Sequence, residues 1–129
     1  MRAAARTRDG VFVVDLETED LLDVDADVPD APPPRVELPR VVAAAAAGST
    51  VVAVIDRRPP LAVSHDGGRT WHESGGGLPP GAAVAIDEDN PDRIVYAGRH
   101  RLYLSEDGGR FWRALAPELP AIEAVALMP

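Results

Sequence analysis

Three short segments of the chain carry two arginines each: Arg6-Thr7-Arg8-Asp9, Asp56-Arg57-Arg58-Pro59 and Arg99-His100-Arg101. The guanidinium is a planar cation with its donors in a fixed fork, so arginines in pairs suit bidentate recognition of carboxylate or phosphate. The chemistry expected of Arg6, Arg8, Arg57, Arg58, Arg99 and Arg101 is therefore anion binding, with His100 as a pH-sensitive contact between two of them. Asp9 and Asp56 are expected to neutralise part of the cluster, and charged hairpin tips are common on any soluble protein. All thirteen basic residues are Arg, which genome composition alone would also produce.

Other reactive groups are sparse. The 129 residues include no cysteine, which excludes disulfides, thiol catalysis and Cys-based metal sites. His65 and His72 lie seven apart without convergent carboxylates, so no metal is assigned to them. Asp23, Asp25 and Asp27 imitate the start of a calcium loop but lack its glycine and distal glutamate, and they read as a solvated acidic loop. Asp87-Glu88-Asp89-Asn90-Pro91-Asp92 reads as a turn, not as catalytic carboxylates. No cofactor is expected.

The balance of 21 acidic against 13 basic residues leaves a formal charge of −8, which argues against nonspecific nucleic-acid binding. Nowhere are there eighteen consecutive apolar residues, and MRAAARTRDG has no apolar run of signal-peptide length. These features lead to an expectation of a cytoplasmic chain with neither a membrane nor a nucleic-acid partner.

The elements that must hold the arginines follow from a repeat. SHDGGRTW at Ser64 to Trp71 returns as SEDGGRFW at Ser105 to Trp112, 41 residues later, close to the period of a four-stranded propeller blade. Each copy follows an apolar run, Leu61-Ala62-Val63 or Leu102-Tyr103-Leu104, and reads as a turn between strands. Asp66 and Asp107 are expected to fold onto backbone N–H groups two residues on, Gly67-Gly68 and Gly108-Gly109 to supply positive φ, and Trp71 and Trp112 to pack between sheets.

These octapeptides resemble the Asp-box, or bacterial-neuraminidase, repeat, Ser-x-Asp-x-Gly-x-Thr-Trp. Ser64, Asp66, Gly68, Thr70 and Trp71 match it in full; Ser105, Asp107, Gly109 and Trp112 match with Phe111 in place of Thr. The resemblance implies an all-β fold of four-stranded antiparallel propeller blades, with these residues structural and on the face away from any ligand. Ligands would then sit on the face formed by the loops between second and third strands, where the six arginines fall.

Aligned at the period, residues 38–75 form one blade and 78–116 another. Residues 1–25 supply strands two to four of a further blade, in which the Asp-box has decayed to VDLETEDL and its turn must be held differently. Residues 119–129 supply a first strand, and 26–37 are a Pro-rich linker that could span a junction or arch over one face. First strands such as LPRVVAAAA are small and apolar, as expected where blades crowd an axis. Three blades' worth of strands cannot close a ring of 4 to 8 blades, whereas two chains give six. The expectation is a homodimer in which each C-terminal strand completes the partner's N-terminal blade; the alternatives are a fragment of a longer propeller or a ring completed by a different protein.

For function the resemblance offers two classes. A sialidase-like or other Asp-box glycoside hydrolase would need an arginine triad, a Tyr nucleophile with a Glu partner and an Asp acid/base, or paired carboxylates across a cleft. Arginines are present, but Tyr96 and Tyr103 fall in strands with no assignable activator. Non-catalytic relatives, such as sortilin-type receptors and photosystem II assembly factors, make a binding or scaffold module the favoured expectation. Its ligand would be an anionic small molecule, a glycan or an acidic protein surface.

Overall fold

A computed structural model describes all 129 residues, Met1–Pro129. Its twelve strands are β1 (Arg2–Thr7), β2 (Gly10–Asp15), β3 (Leu21–Leu22), β4 (Val41–Ala47), β5 (Thr50–Ile55), β6 (Leu61–Ser64), β7 (His72–Ser74), β8 (Gly81–Ile86), β9 (Ile94–Gly98), β10 (Leu102–Ser105), β11 (Arg113–Ala114) and β12 (Ile122–Met128). There is no helix. The strands form three four-stranded antiparallel sheets: β12-β1-β2-β3 (sheet one), β4-β5-β6-β7 (sheet two) and β8-β9-β10-β11 (sheet three).

Val, Ile, Leu and Ala fill the second and third strands of each sheet, and β5 and β9 are buried on both faces. Such strands read as continuous apolar runs because each face meets another layer. Sheet three lies in the middle. One face packs on sheet two through a cluster of nine buried residues that includes Val54, Leu61, Val63, Ile94 and Tyr96. Its other face packs on sheet one through thirteen, among them Ala3, Ala5, Val95, Leu102, Ile122 and Val125.

The C-terminal strand pairs with the N-terminal one, Arg2 opposite Met128 and Ala5 opposite Val125. The expected sheet forms, here within one chain: β12 follows sheet three, lies beside β8 and pairs with β1. The expected crowding of the inner strands is not found in the single chain. The inner strands β4, β8 and β12 border an open cavity of about 820 Å³, onto which Val42 is 58% exposed. Three sheets subtend too little of a circle to bring all their inner strands together. The linker forms the cavity's remaining wall, with Val28 only 8% exposed against Ala4 and Val13 of sheet one. Farther along, Val36 and Leu38 pack on Ala53, Ile55 and Ala62 of sheet two.

Candidate functional site

Antiparallel pairing puts the turn after each second strand and the turn after each third strand at opposite ends of a sheet. The two octapeptides occupy one end. Ser64 Oγ donates to Asp66 Oδ1 at 2.8 Å and accepts from Gly68 N at 2.8 Å, and Trp71 Nε1 donates to Gly68 O at 3.0 Å. Asp66 Oδ1 accepts from the N–H groups of Arg69 and Thr70, at 3.1 and 2.9 Å, so the carboxylate reaches three and four residues on, not two. Two consecutive positive-φ glycines, Gly67 at 75° and Gly68 at 93°, curl the chain far enough to deliver those more distant donors.

The second copy repeats this with Ser105 Oγ to Asp107 Oδ1 at 2.8 Å, and Arg110 N and Phe111 N to Asp107 Oδ1 at 3.1 and 3.0 Å. It lacks one bond. In the first copy Thr70 Oγ1 donates to Asp66 Oδ2 at 2.6 Å, whereas Phe111 has no hydroxyl and is 78% exposed. Donors hold both carboxyls below the usual carboxylate range, the Thr70 hydroxyl first for Asp66 and the Phe111 N–H first for Asp107.

In sheet one the turn is held by Asp15, whose Oδ1 accepts from Glu17 N and Thr18 N at 2.8 and 2.9 Å and whose pKa those bonds lower. Glu19 follows in the left-handed region at φ 64°. Its carboxylate takes a bond from Arg113 Nη1 at 2.7 Å and one from Ala116 N at 2.7 Å, clamping sheet one to sheet three. Nothing in the sequence marks this long-range pair.

The arginine pairs occupy the opposite end, beside the starts of the inner strands. The β1–β2 turn lies against Ile122, Asp56 N donates to Arg40 O at 2.9 Å, and Ile122 N donates to Arg99 O at 2.9 Å. Arg6 is drawn off by Asp30 of the linker at 2.9 Å and Glu123 at 3.9 Å, and Arg101 by Glu118 at 3.1 Å. Arg8, Arg57, Arg58 and Arg99 are exposed and have no carboxylate within 4.0 Å. Asp9 and Asp56 are exposed and form no ion pair within 4.0 Å, so the expected pairing within the cluster does not occur.

In sheet three Arg99, His100 and Arg101 line a recess of about 300 Å³ together with Tyr103 and Glu118. His100 Nδ1 donates to Leu119 O at 3.0 Å, which fixes the tautomer and leaves Nε2 as the free ring nitrogen. Tyr96 does not line this recess but adjoins it, its ring 6.1 Å from that of Tyr103. It is buried between sheets two and three, donates to Pro79 O at 2.7 Å, and stacks edge-on to Trp112 at 6.3 Å. Burial pushes its hydroxyl pKa up to about 12, with Tyr103 adding to the rise.

His65 and His72 stack at 5.4 Å, and no three His, Asp or Glu side chains converge as metal ligands. Asp87, buried in the β8–β9 turn, accepts from Asp89 N at 2.9 Å and lies 3.6 Å from Arg93. Asp23, Asp25 and Asp27 are exposed on the linker. No family model matches the chain, and no curated protein matches it significantly.

Proposed function

We propose that the chain is one half of an Asp-box propeller, a non-catalytic binding module that grips anionic groups on its arginine face. The observation that carries this is that four of the exposed arginines without a carboxylate within 4.0 Å, Arg8, Arg57, Arg58 and Arg99, share the turns after the second strands with Arg40 beside them, whereas Arg69 and Arg110 lie in the octapeptide turns at the other end, in a chain of net charge −8. Cations clustered in the turns at one end of an acidic protein raise the local anion concentration there. Two such chains exchange β12 to complete a six-bladed ring, which brings both arginine faces onto one rim. The partners are a second copy and an anionic ligand or acidic surface.

Titration of citrate into the protein, followed by calorimetry, tests the reading. Arg57→Ala with Arg58→Ala should weaken binding about tenfold or more while leaving Tm unchanged, in line with about 1.5–3 kcal/mol for a charged hydrogen bond. Equal citrate affinity in the variant refutes it.

Hydrolysis is the second reading, favoured by the recess that gathers Tyr103, Glu118, Arg99 and Arg101. Against it, the Glu118 carboxylate is already engaged by Arg101. Release of fluorophore from a fluorogenic sialoside, lost on Tyr103→Phe, would establish it.

A further inference from the structure

The repeat assigns every sheet two faces. In sheet three Ile94, Tyr96 and Trp112 form one face and Val95, Leu102 and Leu104 the other. The first face rests on Val54, Leu61 and Val63 of sheet two, which stand 41 residues before Val95, Leu102 and Leu104. At the other junction Ala3 and Ala5 of sheet one, the counterparts of Ile94 and Tyr96, rest on Val95, Leu102 and Leu104 themselves. One rule covers both interfaces: a first-type face always meets a second-type face.

Two faces are left over, and they are one of each type. Sheet two presents Ala53, Ile55 and Trp71, the counterparts of Ile94, Tyr96 and Trp112. Sheet one presents Ala4, Val11 and Val13, the counterparts of Val95, Leu102 and Leu104. Between them runs the linker, which covers sheet one with Ala26 and Val28 and sheet two with Val36 and Leu38. This cover is thin: each of these clusters has three buried residues, against nine and thirteen at the two sheet-on-sheet junctions. Trp112 donates Nε1 to Ser74 Oγ of the neighbouring sheet at 3.0 Å, while Trp71 bonds only within its own turn.

We propose that the linker is a plug held between two complementary sheet faces, and that a second copy of the chain releases it. If β12 leaves its own β1 and pairs with the β1 of another molecule, the ring widens to six sheets. The left-over faces of sheets one and two then meet each other by the rule that governs the other junctions. The β12–β1 pairing is identical in the closed monomer and the exchanged dimer, so it favours neither. Burial of the two left-over faces favours exchange, and the anchors Val28, Val36 and Leu38 oppose it. This inference rests on the six-bladed reading and adds the element that sets the balance.

The absence of native cysteine allows a direct test. Arg2 and Met128 are opposite one another across the β1–β12 pair, a placement compatible with a disulfide. The Arg2→Cys, Met128→Cys chain is oxidised across a range of protein concentrations and separated under non-reducing denaturing conditions. A closed monomer gives a single-chain band and an exchanged dimer a double-chain band. Adding Val28→Asp and Leu38→Asp should raise the double-chain fraction at least threefold at a fixed concentration. If those aspartates prevent folding, glycine at Pro32, Pro33 and Pro34 keeps the anchors, removes the stiffness and should shift the fraction the same way. A double-chain band that neither set of linker substitutions changes refutes the plug and leaves the six-bladed ring standing. Its absence from every folded variant, at every concentration, refutes both.

Discussion

The two octapeptide turns differ at two side chains, His65 against Glu106 and Thr70 against Phe111, and the second difference isolates what a hydroxyl contributes to the carboxylate. Thr70 gives Asp66 a hydroxyl donor besides its N–H, whereas Phe111 gives Asp107 its N–H alone. Phe111→Thr should therefore raise Tm by about 2–4 °C, a shift of the size one hydrogen bond makes in a domain of this length, read by circular dichroism. The same carboxylates set the acid limit. Because Asp66, Asp107 and Asp15 bind protons less readily folded than unfolded, their contribution is present above the ordinary carboxylate pKa of about 3.9 and is lost as pH falls below it. Tm should drop between about pH 4 and pH 2, and Asp66→Asn should start lower at neutral pH and fall less steeply. Tyr96 sets the opposite limit. Its raised pKa stabilises the fold below pH 10 and ceases to do so as pH rises through about 12. In a Tyr103→Phe chain, absorbance at the phenolate band should show Tyr96 ionising near that value, and a midpoint near 10 would mean that the hydroxyl is in water. Asp66 and Asp107 were recognisable in the sequence because a turn spends its hydrogen bonds within five residues. Asp15 was not, because its turn keeps the carboxylate but moves it one position and drops both glycines.

Among the elements, strand order was readable from the repeat. When residues 1–15 are laid without gaps on 92–106, Arg2 falls on Arg93 and Ala5 on Tyr96, and Ala5 pairs with Phe12 as Tyr96 pairs with Tyr103. Periodicity carries such information because a strand's faces alternate strictly, so residues one period apart occupy the same face. It carries none about contacts between unlike positions. Glu19 and Arg113 are 94 residues apart and have no counterpart in the other copies, yet they join sheets one and three. The linker was legible as proline-rich and extended, but its docking on two sheets depends on the void that only three assembled sheets create. Glu19→Ala removes two bonds between sheets from a partly exposed site and should lower stability by about 1 kcal/mol, measured by urea unfolding. Arg113→Ala alone should cost about as much, and the double variant little more, since the two residues act as one unit.

Over the whole molecule, β12 is the strand on which most depends for its length. It hydrogen-bonds β1 along six residue pairs, and Ile122 and Val125 lie in the cluster that binds sheet one to sheet three. Removing Ala121–Pro129 leaves β1 as an edge with unpaired N–H and C=O groups flanked by buried alanines, a template for pairing with other chains. The truncated chain should aggregate at micromolar concentration, seen by light scattering. A synthetic peptide of residues 121–129 supplied in trans should restore its solubility and its far-UV β signal. The loss is expected whether β12 sits on its own chain or on a partner's, because sheet one needs a fourth strand in either arrangement. A truncated chain that stayed soluble, with unaltered far-UV spectrum and Tm, would mean that β1 is satisfied without β12 and that the termini have no part in holding the sheets together.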